Sequence, residues 1–179
     1  PMSSQLILDF WFAPEHPEFW FQKNAGFDAK IKQHLGSHYH QAQQGDYNHW
    51  AENDKSCLAL ILLLDQVPRN LFRNSAQAFA TDTHACALTY NGLTRNYDSI
   101  FNGDEKIFFY MPLMHSEKLE DQDKSVQLYE RAGLNDNLAF AIAHRDIIAQ
   151  FGRFPHRNAA LGRKSTQAEI EFLKTHSGF

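Results

Sequence analysis

The stretch Asp54-Lys-Ser-Cys-Leu-Ala-Leu-Ile-Leu-Leu-Leu-Asp-Gln66 constrains the fold of this chain more than any other. From Cys57 to Leu64 it is apolar without interruption. A helix that is apolar on every side has no face to offer water and has to be surrounded by protein. The run is also far short of the roughly 20 apolar residues that a membrane span needs. It therefore predicts a central helix, packed on all sides by the rest of the chain, with Pro68 breaking or kinking it.

The remaining segments supply the surrounding helices. Residues 6–12 form a short apolar helix capped by Ser3 or Ser4 and closed by Pro14 and Pro17, and Phe19-Trp20-Phe21 follows as an aromatic plug. Residues 28–44 are amphipathic, with Phe27, Ile31, Leu35, Tyr39 and Ala42 on one side and Gly45 as the stop. Helical patterns follow at 75–91 with Gly92 as stop, at 104–111 up to Pro112, at 116–131 ending in Ala132-Gly133, and at 135–151. The last helix, 166–175, opens with a capping box made by Thr166 and Glu169. Alternation of polar and apolar residues, the signature of strands, is nearly absent. The expectation is an all-α fold of about eight helices with short loops, in one domain spanning residues 1–179. Helix pairs of similar length suggest a solenoid, although no strict 34-residue repeat is legible.

Composition narrows the class. An apolar content of 43% and fifteen Phe support an aromatic-rich core. A chain of this size can bury about 70% of its unfolded surface, so neither a metal nor a disulfide is needed for stability. A net charge of -4 argues against nucleic acid as a partner. Residues 6–13 contain Asp9 and lack a basic flank, so they do not read as a secretory signal. Cys57 and Cys86 fall in helical patterns without metal spacing and read as free thiols of a cytoplasmic protein.

Polar residues terminate three apolar stripes. Leu58, Ile61 and Leu62 share a face that Asp65 extends, and Gln66, Arg69, Asn70 and Arg73 follow. Phe108 and Met111 define a second stripe that runs to His115, with Ser116 and Glu117 beyond. Phe140, Ile147, Ile148 and Phe151 define a third, with His144 among them and Arg145 next to it. That stripe leads into Phe151-Gly-Arg-Phe-Pro-His-Arg-Asn158, where Gly152 and Pro155 stop the helix and Arg153, His156, Arg157 and Asn158 crowd a non-repeating loop. Each break alone is ordinary: a helix-end Asp pairs with a neighbouring Arg, and a histidine on an apolar face finds a hydrogen bond. Together they point to one shared pocket. The segment 144–164 carries four Arg and one Lys against Asp146, while 117–136 carries six acids against three bases. These segments either pair with each other or leave an anion site, since guanidinium forks match carboxylate and phosphate. His34, His38 and His40 lie on a polar helix face without an acid or Cys ligand nearby and are read as solvated, and His115-x-Glu117 lacks zinc-helix spacing, so no metal is expected.

At these residues the sequence resembles a known family. Leu64-Asp-Gln-Val-Pro-Arg-Asn-Leu-Phe-Arg73, Phe109-Tyr-Met-Pro-Leu-Met-His-Ser-Glu117 with Gln122, and 144–158 are similar to the bacterial domain-of-unknown-function family 924. Leu161-Gly-Arg163, Ser165-Thr166, Glu171-Phe-Leu173, Leu8-Asp-Phe-Trp-Phe12 and Trp20-Phe21 extend the resemblance over nearly the whole chain. The resemblance implies a tetratricopeptide-like right-handed superhelix and no settled activity. Three readings follow. In the first, Asp65, Gln66, Arg69, Asn70, Arg73, His144, Arg145, Arg153, Arg157 and Asn158 line a pocket for a small anionic ligand, with His115 or His156 as acid/base and Asp65 or Glu117 orienting it, and no cofactor. In the second, the same arginines clamp a partner peptide. In the third, the motifs knit helix ends into a buried polar network.

Overall fold

Every residue from Ser56 to Pro68 is buried, as an all-apolar helix requires. The computed structural model describes residues 2–179, with side chains from residue 4 onward. Its helices are α1 (Met2–Trp11), α2 (Ala25–Gln43), α3 (Asp54–Ile61), α4 (Val67–Leu71), α5 (Asp82–Thr94), α6 (Gly103–Met114), α7 (Leu119–Arg131), α8 (Asn135–Phe151) and α9 (Gln167–Leu173). No strand occurs among the described residues. A π-helical segment, Leu62–Gln66, joins α3 to α4 without a break, so the described helices form eight separate rods.

That π segment accommodates Pro68. The Val67 N–H donates to the Leu62 carbonyl, five residues back, and the extra residue brings Pro68 to the first turn of α4, where its missing N–H costs nothing. In an unbroken α-helix the Leu64 carbonyl would receive the N–H of residue 68. It accepts instead from Thr81 Oγ1 at 2.6 Å. Pro68 thus does not end the rod.

The buried rod organises its neighbours: α3 packs against α1, α5 and α6, while α2 packs along α4. The second half is sequential, α5 on α6, α6 on α7 and α7 on α8. Phe27, Ile31, Leu35, Tyr39 and Ala42 form the buried face of α2, and Gly45 after it has φ +90°. Aromatic rings fill the space between α1, α2 and α6. Trp11 lies parallel to Trp20 at 6.4 Å and edge-on to Phe108 at 5.4 Å. A second, smaller cluster of Ile147, Ile148 and Phe154, backed by Phe151 and Phe172, joins α8 to α9.

Several sequence expectations need correction. The first helix already begins at Met2, so Ser4 lies inside it, and the Ser3 side chain falls outside the described residues. Phe21 is no plug: it is 62% exposed, although its ring stacks on Phe108. The 116–131 helix starts only at Leu119. Pro112 does not end α6, which continues to Met114. Phe140 is 57% exposed, because the buried stripe of α8 runs through Ala141, His144, Ile147 and Ile148 instead. The 75–91 helix is split into a 3-10 turn, Ala76–Phe79, and α5.

Gly92 is inside α5 rather than at its end. Its role is space: a Cβ there would sit 2.4 Å from Phe109 Cζ and 3.1 Å from Tyr97 Cδ2. Gly92→Ala is therefore expected to destabilise the protein by about 1–3 kcal/mol through overpacking, despite the better helix propensity of Ala. Urea unfolding checks this, and a neutral or stabilising result would mean that the ring yields freely.

Candidate functional site

Three helix ends meet where the sequence placed its polar breaks: the π segment with α4, the C-terminus of α6, and the loop after α8. At the centre is Asp65, whose side chain is 1% exposed. Its Oδ1 is 2.7 Å from His115 Nδ1, its Oδ2 accepts from Gln66 Nε2 at 3.0 Å, and Arg69 Nη1 lies 3.7 Å from Oδ1. The widened π turn holds the Asp65 carboxylate beside the end of α6, so the helix supplies a charged group from its most enclosed part.

Electrostatics set the protonation states of this pair. Burial alone would raise the Asp65 carboxyl, but His115 and Arg69 outweigh it and hold Asp65 below its ordinary value. Burial and then Arg69 push His115 down, although Asp65 pulls the other way. An ionised Asp65 only accepts, so His115 Nδ1 carries the proton and donates it. Nε2, which has no hydrogen-bond partner among the described residues, is then left with its lone pair.

Two arginines border the pair. Arg69 is a bidentate donor to Asp82, at 2.8 and 2.9 Å, and also donates to the Asp65 carbonyl at 2.7 Å. Arg157 donates to the His115 carbonyl at 3.0 Å and approaches Asp82 only to 3.6 Å. Its guanidinium lies between the rings of Phe79 and Phe154, 4.4 and 4.6 Å away. Burial, then the Arg69 charge, lowers Arg157 to about 10, which still leaves it protonated at neutral pH. Its Nε is buried without a hydrogen bond among the described residues, and so is His156 Nδ1 on the adjacent residue.

The loop is fixed by its own ion pairs. Gly152, at φ +73°, ends α8 and turns the chain towards Phe154. Glu117 accepts the Phe154 N–H at 2.7 Å and a guanidinium fork from Arg163 at 2.8 and 3.0 Å. Arg163 donates as well to Asn158 Oδ1 at 3.0 Å, and Asn158 donates to Ser165 Oγ at 3.1 Å. His144 is buried on α8 with Nδ1 2.7 Å from its own Phe140 carbonyl. Its ring lies 6.4 Å from that of His115. Burial, first of all, pushes His144 down to about 3 and His156 to about 4, so both are neutral at pH 7.

The structure thus brings together Asp65, Gln66, Arg69, His115 and Arg157, with Glu117, Asn158, His144 and His156 beside them. It does not bring in the others. Asn70 and Arg73 turn the opposite way and bind Asp28 of α2, Asn70 at 3.0 Å and Arg73 at 2.5 and 2.8 Å. They pin α4 to α2. Arg145 is at the surface, 3.4 Å from its neighbour Asp146. Arg153 forms a fork with Glu169 at 2.9 and 2.7 Å, which itself closes the capping box with Thr166. Arg153 and Glu169 line a separate, open cavity of about 510 Å³ between α8 and α9. His38 Nδ1 bonds Tyr47 at 2.8 Å, and among the described residues no group of three acid, Cys or His side chains is placed to hold a metal. Neither Asp82 nor Phe79 was singled out in the sequence. Asp82 falls there inside the 75–91 helical pattern with no assigned role, and only the fold places it in the first turn of α5, where it serves two arginines.

The chain matches the family model described as "Bacterial protein of unknown function (DUF924)" over residues 7–177. It belongs to that family. A solved structure described as "Structure of Protein of Unknown Function ATU0120 from Agrobacterium tumefaciens" is 37% identical to it, covers 97% of each chain and superposes with a TM-score of 0.92. No curated protein matches. The DUF924 match agrees with the motifs that suggested it, and the solved relative has the same all-helical fold. Neither description names an activity, so function has to be argued from the residues themselves. Among the described residues of this DUF924 chain no helix is long and apolar enough to cross a membrane.

Proposed function

We propose that the cluster around Asp65 and His115 binds a small anionic group on Arg157 and moves a proton at His115 Nε2. The observation that carries this reading is the pair of buried, unpartnered atoms on neighbouring residues, Arg157 Nε and His156 Nδ1. Such atoms are rare in folded proteins, and each asks for an explanation. An anionic oxygen would satisfy Arg157 Nε. The Asp65–His115 pair next to it has the arrangement of an orienting carboxylate behind a neutral imidazole, which is how a general base is prepared.

The peptide-clamp reading draws support from the sequential packing of α5 to α8, which suits a tetratricopeptide-like arrangement. It is disfavoured by the arginines it needs. Arg69, Arg73 and Arg153 already hold Asp82, Asp28 and Glu169 in bidentate pairs, which leaves little charge for a partner.

Inorganic phosphate is the probe. A ligand at about 100-fold its Kd stabilises the folded state by about 2.7 kcal/mol. Phosphate is expected to raise the melting temperature of the wild-type protein further than that of Arg157→Gln, which reports only the general salt effect. Arg157→Lys keeps the charge and should retain part of the response. Parallel titration curves for all three proteins would sink the anion site.

A further inference from the structure

The segment after α9 turns back over the site. The Phe179 ring lies on His144 with centroids 3.5 Å apart and planes 15° from parallel. It is edge-on to His156 at 5.8 Å and to Phe154 at 6.5 Å, and His176 stands 5.0 Å away. A histidine held neutral by burial is a flat, polarisable surface, and a planar ring gains on it what a saturated group of equal size does not. The seat is therefore a slot for a ring, with His144 as floor and Phe154 and His156 as walls. Phe154 is also the ring on which the Arg157 guanidinium rests, so the ring slot and the proposed anion site share a wall.

The occupant is lightly held. Phe179 is 56% exposed. Among the described residues the hydrogen bond of residues 177–179 is from the Gly178 N–H to His176 Nδ1, within the segment itself. Gly178, at φ +121°, lies close to His156, where an added Cβ would come within 3.2 Å of the imidazole. The segment lies against the slot through ring contacts, and few buried contacts mean a low cost of opening.

We propose that this slot is a binding site for a planar aromatic group, and that residues 176–179 are its displaceable cover, with Phe179 standing where the ring of a ligand goes. The inference deepens the proposed anion site by giving its ligand an aromatic ring as well as a negative group. Because the two are separable, the test uses a neutral probe.

The probe is benzyl alcohol, and the readout is the imidazole carbon-bound proton signal of His144 in the 179-residue chain. The stacked Phe179 ring shifts this signal upfield in the wild type, and Phe179→Ala moves it back. Benzyl alcohol added to Phe179→Ala restores the upfield shift in a saturable way, with an affinity of roughly 1–10 mM as suits so small a ligand. It binds the wild type at least tenfold more weakly, because the cover has to leave. Phe179→Leu, which keeps an apolar cover without a ring, falls between. The same His144 signal in wild type and Phe179→Ala overturns the proposal. So does equal affinity for both, or equal binding of cyclohexylmethanol. A lost phosphate response with benzyl alcohol binding intact would remove the anion site alone.

Discussion

Asp65→Ala is expected to destabilise the protein by about 3–5 kcal/mol, because two buried donors lose their acceptor at about 1–3 kcal/mol each and the shortened side chain leaves a void. For a chain of this length that lowers the melting temperature by roughly 6–20 °C. The loss does not come from the absent attraction alone. Without the carboxylate, His115 Nδ1 keeps a buried proton with no acceptor, and Gln66 loses the oxygen to which its amide donates. Arg69 is spared, since its fork to Asp82 remains. A variant that removes both ends, Asp65→Leu with His115→Phe, should recover a large part of the stability, because the imidazole N–H is then no longer left without an acceptor. Thermal and urea unfolding of the single and double variants decide the matter. A single-variant loss under about 1 kcal/mol would show that the carboxylate is not what satisfies its neighbours.

Acid should weaken the fold from pH 6.5 downward, well before any carboxylate titrates. His144 and His156 have folded values of about 3 and about 4 against 6.5 for an ordinary histidine, so they stay neutral in the folded chain while the unfolded chain takes up protons. The folded state therefore loses stability as pH falls through 6.5, and the loss is complete only near pH 3–4. A fully excluded proton costs about 1.4 kcal/mol per pH unit. His144 approaches that slope, and the less covered His156 contributes less. Burial lowers His38, His84 and His115 too, which steepens the wild-type curve. Asp65 acts at the other end: its lowered value gives stability that is present above 3.8 and is lost only below it. Guanidinium unfolding at pH 7.5, 6.5, 5.5 and 4.5 tests this. His144→Gln should flatten the slope between pH 6.5 and 4.5 whatever it does to stability at neutral pH. An unchanged slope would mean that water reaches His144 freely.

Both expectations depend on an arrangement that the sequence shows only in part. The boundaries of α8 were legible because Asn135 to Phe151 is a continuous helical pattern closed by Gly152 and Pro155. The capping box at Thr166 and Glu169 was legible because its two bonds depend on residues three apart. The limits of α5 were not, because Gly92 reads as a stop while its absent side chain makes room for Phe109, a residue seventeen positions away. Partner choice was the hardest part. Asn70 and Arg73 follow Asp65 closely in the chain yet answer to Asp28, on a helix that passes the other side of α4. Arg69 follows Asp65 by one helical turn, and its fork nonetheless goes to Asp82. Spacing tells which residues share a face, but which acid a long guanidinium reaches is decided by helices packed from elsewhere.

The π turn at Leu62–Gln66 carries one residue more than an α-helix would use over the same length. Each residue of an α-helix advances the direction of the side chains by about 100°. A helical wheel drawn through the rod with ordinary spacing is thus out of phase beyond Gln66 by that angle, and assigns α4 the wrong inward face. Beyond the π turn α4 sends Arg69 towards Asp82, and the chain just past its end sends Arg73 towards Asp28. Deleting a single leucine from 62–64 would leave composition and hydrophobicity almost untouched, yet would rotate one half of the rod against the other and separate both contacts at once.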